Sequence, residues 1–101
     1  MEAAMAITIF LEFTAKVGTG GDVLAALKEI TPDTRSYDGC ISNHVYRSQE
    51  NPDTLVIHGQ WQSKEHYEKY LAWREETGVL EKFAAGLEGA PSFRYFELTD
   101  A

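Results

Sequence analysis

The chain has 101 residues, 44% of them hydrophobic, which suits one domain over 1–101 and leaves no room for a separate cofactor-binding half. With 16 acidic residues against 9 Lys and Arg, the formal net charge is -7, so nucleic acid and anionic membrane surfaces are excluded as natural partners. Cys40 is the lone cysteine; it rules out an internal disulfide framework and a cysteine-built zinc or iron–sulfur site, and it fits a reducing, cytoplasmic setting.

The opening MEAAMAITIFLEF has no positive n-region and no small-residue cleavage pattern, and Glu12 breaks its apolar run. Neither a signal peptide nor a membrane span is expected there. From Ala6 to Lys16 the β-branched and aromatic residues predict a strand, with Ile7, Ile9, Leu11 and Phe13 on one parity. Gly18, Gly20 and Gly21 break it and read as a loop, since they match neither a P-loop nor a dinucleotide fingerprint. Thr19 and Asp22 have capping-box spacing, so a helix should begin near Asp22 and carry the stripe Val23, Leu24, Leu27 and Ile30. Pro32 lacks a backbone donor and should end or kink that helix near Thr31.

Ile41 to Ser48 and Thr54 to Gln62 read as strands of a hairpin joined by the polar turn Gln49 to Asp53. Ser63 can cap the next helix, with Glu65 in its first turn and Tyr67, Tyr70, Leu71 and Arg74 on one face. The run from Arg74 through Glu75 and Glu76 reads as a solvated helix end. After Gly78, a shorter helical piece carries Val79, Leu80, Phe83, Ala84 and Leu87. Gly86, Gly89 and Pro91 close it, and Ser92 to Leu98 reads as the last strand.

The order strand, helix, strand, strand, helix, strand is the split βαβ arrangement of an α+β, ferredoxin-like βαββαβ sandwich with a four-stranded antiparallel sheet. Two helices cover one face of such a sheet, yet the strands carry large residues on both parities, Phe10 among them. A second copy of the chain, docking sheet face to sheet face as a homodimer, is the simplest cover for the other face.

Several segments carry a resemblance: GCISNHVYRSQENPD, the strand ending GQW, QSKEHYEKYLAW and the closing PSFRYFEL. Together, over roughly residues 5 to 98, they resemble the antibiotic biosynthesis monooxygenase family of small dimeric α/β barrel proteins. The resemblance implies a dimer and oxygen insertion into an electron-rich phenolic, anthrone or quinol-like aromatic without metal, flavin or haem. The substrate's own carbanion would supply the electrons, in a pocket between sheet and helices. The family's pocket Trp maps onto Trp61, and its Tyr six residues on maps onto Tyr67. A carboxylate often stands two residues before the Trp; here Gly59 stands there, which weakens the carry-over of an acid role. The haem-degrading branch needs a first-strand Asn and a His ten residues after the Trp; the first strand has no Asn and Leu71 occupies the second position, so that chemistry is set aside.

Each candidate has a structural reading beside the functional one. Trp61, as a substrate-binding residue, could equally plug the core, and Tyr67 and Tyr70 could be core phenols with hydroxyls at the rim. His44 is the histidine best placed to act as a base beside Trp61, with Asn43 on the opposite strand parity as a substrate-binding alternative. Only one of the two can face the pocket, and the hairpin register decides which. His58 should lie opposite Trp61's face, and His66 in an exposed first helical turn. No histidine pair has metal-ligand spacing, so no metal and no cofactor are expected. Cys40, with no basic neighbour before Arg47, is not expected to be a nucleophile. The leading reading is a cofactor-independent monooxygenase with His44 and Tyr67 catalytic and Asn43, Trp61 and Tyr70 holding the substrate. A non-catalytic barrel binding a small aromatic ligand and an isomerase of small carbonyl compounds are the alternatives.

Overall fold

In a computed structural model that describes residues 6–101, alternation along strand β1 (Ile7–Thr14) buries Ile9, Leu11 and Phe13 on one side and leaves Glu12 exposed on the other. Strand β1 pairs antiparallel with β3 (Thr54–Trp61) and with β4 (Ser92–Phe96), and β3 pairs with β2 (Cys40–Arg47). The four-stranded sheet has the order β2-β3-β1-β4. Helices α1 (Gly20–Ser36), α2 (Lys64–Glu76) and the short α3 (Val79–Ala85) complete the expected ferredoxin-like sandwich.

The core lies between the sheet and the helices, in two clusters. Leu11, Phe13, Leu27, Leu55 and Leu87 form one; Ile9, Trp61, Tyr67 and Tyr70 form the other. The other sheet face holds Phe10, whose ring stacks on His58 at 4.8 Å and meets Phe96 edge-on at 5.4 Å. Tyr46 and Phe96 on that face are 56% and 48% exposed. Arg94 and Glu12 lie 3.5 Å apart beside them.

Four local expectations need correction. Helix α1 does not end near Thr31; it continues through Pro32 to Ser36. Tertiary bonds hold its last turn: Thr34 shares a 2.6 Å hydrogen bond with Tyr70, and Arg35 Nε donates to the Asn43 carbonyl at 3.0 Å. Second, Thr19 and Asp22 form no capping box, because the Thr19 hydroxyl donates to the Lys16 carbonyl and α1 begins at Gly20. The Asp53 carboxylate, from the β2–β3 turn, instead accepts from the Gly18 and Gly20 amides at 2.9 and 2.8 Å. Those bonds hold the Asp53 carboxyl below its usual range. Third, α3 stops at Ala85, and Leu87 is buried through an isolated bridge to Ala15. Fourth, strand β4 ends at Phe96, short of Leu98. The Ser63 cap holds: its Oγ accepts from the His66 amide at 3.1 Å.

The turn at Asp53 sits so close to Gly20 that a methyl group there would overlap the Pro52 carbonyl oxygen and lie 2.7 Å from the Asp53 Cα. Backbone on both sides leaves little room to relax. Gly20→Ala is expected to lower unfolding stability by about 1 to 3 kcal/mol, the usual range for overpacking. An unchanged urea midpoint would contradict this docking of turn on helix.

Candidate functional site

The end of β3 and the inward face of α2 build an aromatic layer. Trp61 alternates with Gly59 and Leu55 on the helix-covered face, while Tyr67, Tyr70 and Arg74 recur at helical spacing on α2. The Trp61 ring lies 5.4 Å from that of Tyr67 and 4.9 Å from that of Tyr70, and the residue is only 1% exposed. Tyr37, just after α1, stacks on Trp73 at 5.1 Å and closes the layer.

Next to this layer lies a cavity of about 60 Å³ between the sheet and the helices. Its walls are mostly apolar, and its polar groups come from Thr31, Thr34, Asn43, Tyr67, Tyr70 and Arg74. Trp61 does not line it; it stands behind Tyr67 and Tyr70 as their packing partner. Small-molecule sites usually hold ~300–1,000 Å³, and this cavity is smaller than that range. A groove of about 500 Å³ runs between α1 and α3 on its outer side. Leu27, Ile30, Val79 and Phe83 line both spaces and are the wall between them.

The hairpin register settles which neighbour on β2 faces this cavity. Asn43 pairs with Gly59 and is 6% exposed, lining the cavity, whereas His44 pairs with His58 and is exposed on the other sheet face. The expectation that His44 shares a pocket with Trp61 is therefore corrected: strand alternation turns it away. His58 lies on that same open face, as expected from its parity with Trp61. Gly59 is what makes room for Asn43. A Cβ at position 59 would come 3.1 Å from Asn43 Oδ1 and 3.2 Å from Trp61 Nε1, so the space beside Gly59 is taken by these two side chains.

Arg74 was expected in solvent at the end of α2 and is instead 3% exposed. Its Nε donates to the Tyr70 hydroxyl at 3.0 Å, and its Nη2 donates to the Ile30 carbonyl at 2.9 Å and to Thr34 Oγ1 at 3.0 Å. The Tyr70 hydroxyl is thus committed to Arg74 and Thr34. Tyr67 forms no side-chain hydrogen bond among the described residues, so its hydroxyl is the phenol left available. The signal for Arg74 was its place four residues after Tyr70, on the same helix face.

Burial pushes the Tyr67 phenol far above its ordinary range, with Tyr95 and Tyr70 adding to the shift. It stays neutral and able to donate. Because the folded value is raised, the stability from burying this phenol is complete below the unfolded value near pH ~10 and is lost as pH rises beyond it. Melting temperatures measured between pH 8 and 11 should fall more steeply for the wild type than for Tyr67→Phe; parallel falls would contradict this. Cys40 does have a basic neighbour, Arg35, which lowers its thiol, but burial outweighs it and the thiol is raised. That is the wrong direction for a nucleophile. Among the described residues no group of three His, Cys, Asp or Glu could hold a metal, and no helix is long and apolar enough to cross a membrane.

The family model described as antibiotic biosynthesis monooxygenase matches residues 6–77. A search of curated proteins gave no significant match. Among solved structures, a conserved protein from Methanosarcina mazei superposes with a TM-score of 0.83 at 17% identity, over 94% of each chain. An antibiotic biosynthesis monooxygenase gives 0.82 at 15% identity, over 92% of this chain and 98% of its own. A mutant of SnoaB, a cofactor-independent oxygenase from Streptomyces nogalater, gives 0.82 at 13% identity over 97% of both chains. At these identities the likeness establishes the fold.

Proposed function

The chain belongs to the antibiotic biosynthesis monooxygenase family, and from that premise we propose that it is a cytoplasmic, homodimeric monooxygenase that oxygenates a small phenolic, anthrone or quinol-like aromatic without metal, flavin or haem. The observation that carries this reading is the mainly apolar cavity under the sheet, with Asn43, Tyr67, Tyr70 and Arg74 as its few polar side chains beside two threonines. In an anthrone the carbon between the rings loses a proton and gives its electrons to oxygen. One oxygen atom then becomes the new carbonyl and the other leaves as water, so no outside reductant is required. The chain's part is to exclude water, hold the flat ring system, and stabilise the oxyanion by hydrogen bonds, with the neutral Tyr67 hydroxyl as the available donor. Admitting such a ring requires the Leu27 and Phe83 wall to move. Oxygen-electrode assays with a panel of anthrones and quinols test the proposal. Uptake above the spontaneous rate is expected, and none with any compound would leave a non-catalytic aromatic-binding barrel as the better reading.

Dimerisation is supported by the open sheet face, where Phe10, Tyr46, His58 and Phe96 form an aromatic patch that no helix among the described residues covers. An obligate interface of this type buries ~2,000 Å² or more. Light scattering should give a dimer for the wild type and a monomer for Phe10→Lys, which places a charge in the patch. A stable 11.3 kDa species for the wild type at low micromolar concentration would contradict the interface.

A further inference from the structure

Arg74 is a buried charge with no acidic side chain paired to it among the described residues. It is 3% exposed, and the ion pairs among the described residues, His66 with Asp38 and Arg94 with Glu12, do not involve it. A guanidinium keeps its proton in proteins, and burying it without a counter-ion is unfavourable unless something else offsets the cost. The groups that do meet it are all neutral: the Tyr70 hydroxyl, the Ile30 carbonyl and Thr34 Oγ1 take Nε and Nη2. The planes of Trp73 and Tyr70 lie 4.5 and 5.3 Å from its central carbon. Nη1 forms no hydrogen bond among the described residues. Arg74 also lines the cavity, and no Asp, Glu, Lys or His joins it there. Among the described residues the cavity lining therefore carries one fixed positive charge, that of Arg74, and no acidic side chain beside it.

We propose that Arg74 is the counter-ion of the cavity's ligand, which binds as an aromatic oxyanion, a phenolate or the enolate of an anthrone. The inference rests on the reading of this cavity as the substrate site and adds a residue to it. Ionising the ligand breaks its O–H or C–H bond and leaves the electron pair on the ligand; the proton passes to bulk water before the anion enters, since among the described residues no histidine or carboxylate lines the wall. The guanidinium then does by charge what a base in the cavity would otherwise be needed for: it holds the ligand in its reactive, deprotonated form. Neutral hydrogen-bond partners keep the guanidinium plane fixed without cancelling its charge.

The test uses 4-nitrophenol, whose ionised form has its own absorption band, and 4-nitroanisole, its neutral analogue, both without oxygen. The wild type should bind nitrophenolate at least ~10-fold more tightly than nitrophenol, as an opposite charge within a few ångströms requires. Arg74→Gln should lose that preference while binding nitroanisole within about threefold of the wild type, and Arg74→Lys should keep most of it. If Arg74→Gln does not fold, the wild-type ratio and Arg74→Lys carry the test. Equal wild-type affinity for the two ionisation states, a preference that persists in Arg74→Gln, or no binding of either probe would each overturn the proposal. Phenolate preference without oxygen uptake would sink the monooxygenase reading and leave the Arg74 assignment standing. Uptake with no phenolate preference would do the reverse.

Discussion

Replacing Trp61 with alanine is expected to lower the free energy of unfolding by about 3 to 5 kcal/mol, the range for deleting a large buried aromatic. The indole is 1% exposed and touches Tyr67, Tyr70 and, at 6.4 Å between centroids, Tyr37. Its removal leaves a void between β3 and α2 that flat rings cannot close by small rotations. The same void frees Tyr67 and Tyr70 to turn, so ligand affinity should fall together with stability. Urea unfolding checks the first part, and a loss under 1 kcal/mol would mean that Trp61 is not the packing support of the layer. The residue acts from behind the cavity wall, so its effect on turnover comes through the two tyrosines.

Tyr67→Phe is expected to lower kcat by ~10²–10³, about 2.7 to 4 kcal/mol of transition-state stabilisation, which is the usual loss for one donor to a developing oxyanion. The phenol is neutral through the working pH range because burial raises it, and its hydroxyl is not committed to another side chain among the described residues. Near neutral pH the melting temperature should change little, since the ring stays. Tyr70→Phe differs in kind: it removes the group that accepts from Arg74 Nε and bonds Thr34, and so loosens the contact between α2 and α1. Equal kcat for wild type and Tyr67→Phe would shift the oxyanion donor to another group.

The chain order of strands and helices and the inward parity of Ile9, Leu11 and Phe13 were legible from the sequence because period-two and helical spacings fix which side chains share a face, whereas the pairing of Trp61 with Tyr67 came from the family resemblance. What was not legible depends on partners distant in the chain. Nothing local says that Pro32 lies inside a helix; Thr34 and Arg35 reach α2 and β2 and hold the turn beyond it. The N-terminus of α1 is capped by Asp53, and the nearby pair Thr19 and Asp22 competes with that reading on spacing alone. Parity separated Asn43 from His44, but only the pairing of Asn43 with Gly59, a residue with no side chain to fill the inward space, decides which is buried. Arg74 was misread because Glu75 and Glu76 follow it. Its helix face pointed inward with Tyr70, and the carbonyl and hydroxyl that receive it come from α1.

Cofactor-free oxygenation is tested most directly by single-turnover oxidation of an anthrone under ¹⁸O₂, with protein passed over a chelator and free of visible absorbance. Mass spectrometry should find one labelled oxygen in the quinone product, formed faster than in buffer alone and faster than with Tyr67→Phe. Product formed no faster than without protein, or an unlabelled new carbonyl oxygen, would contradict the account.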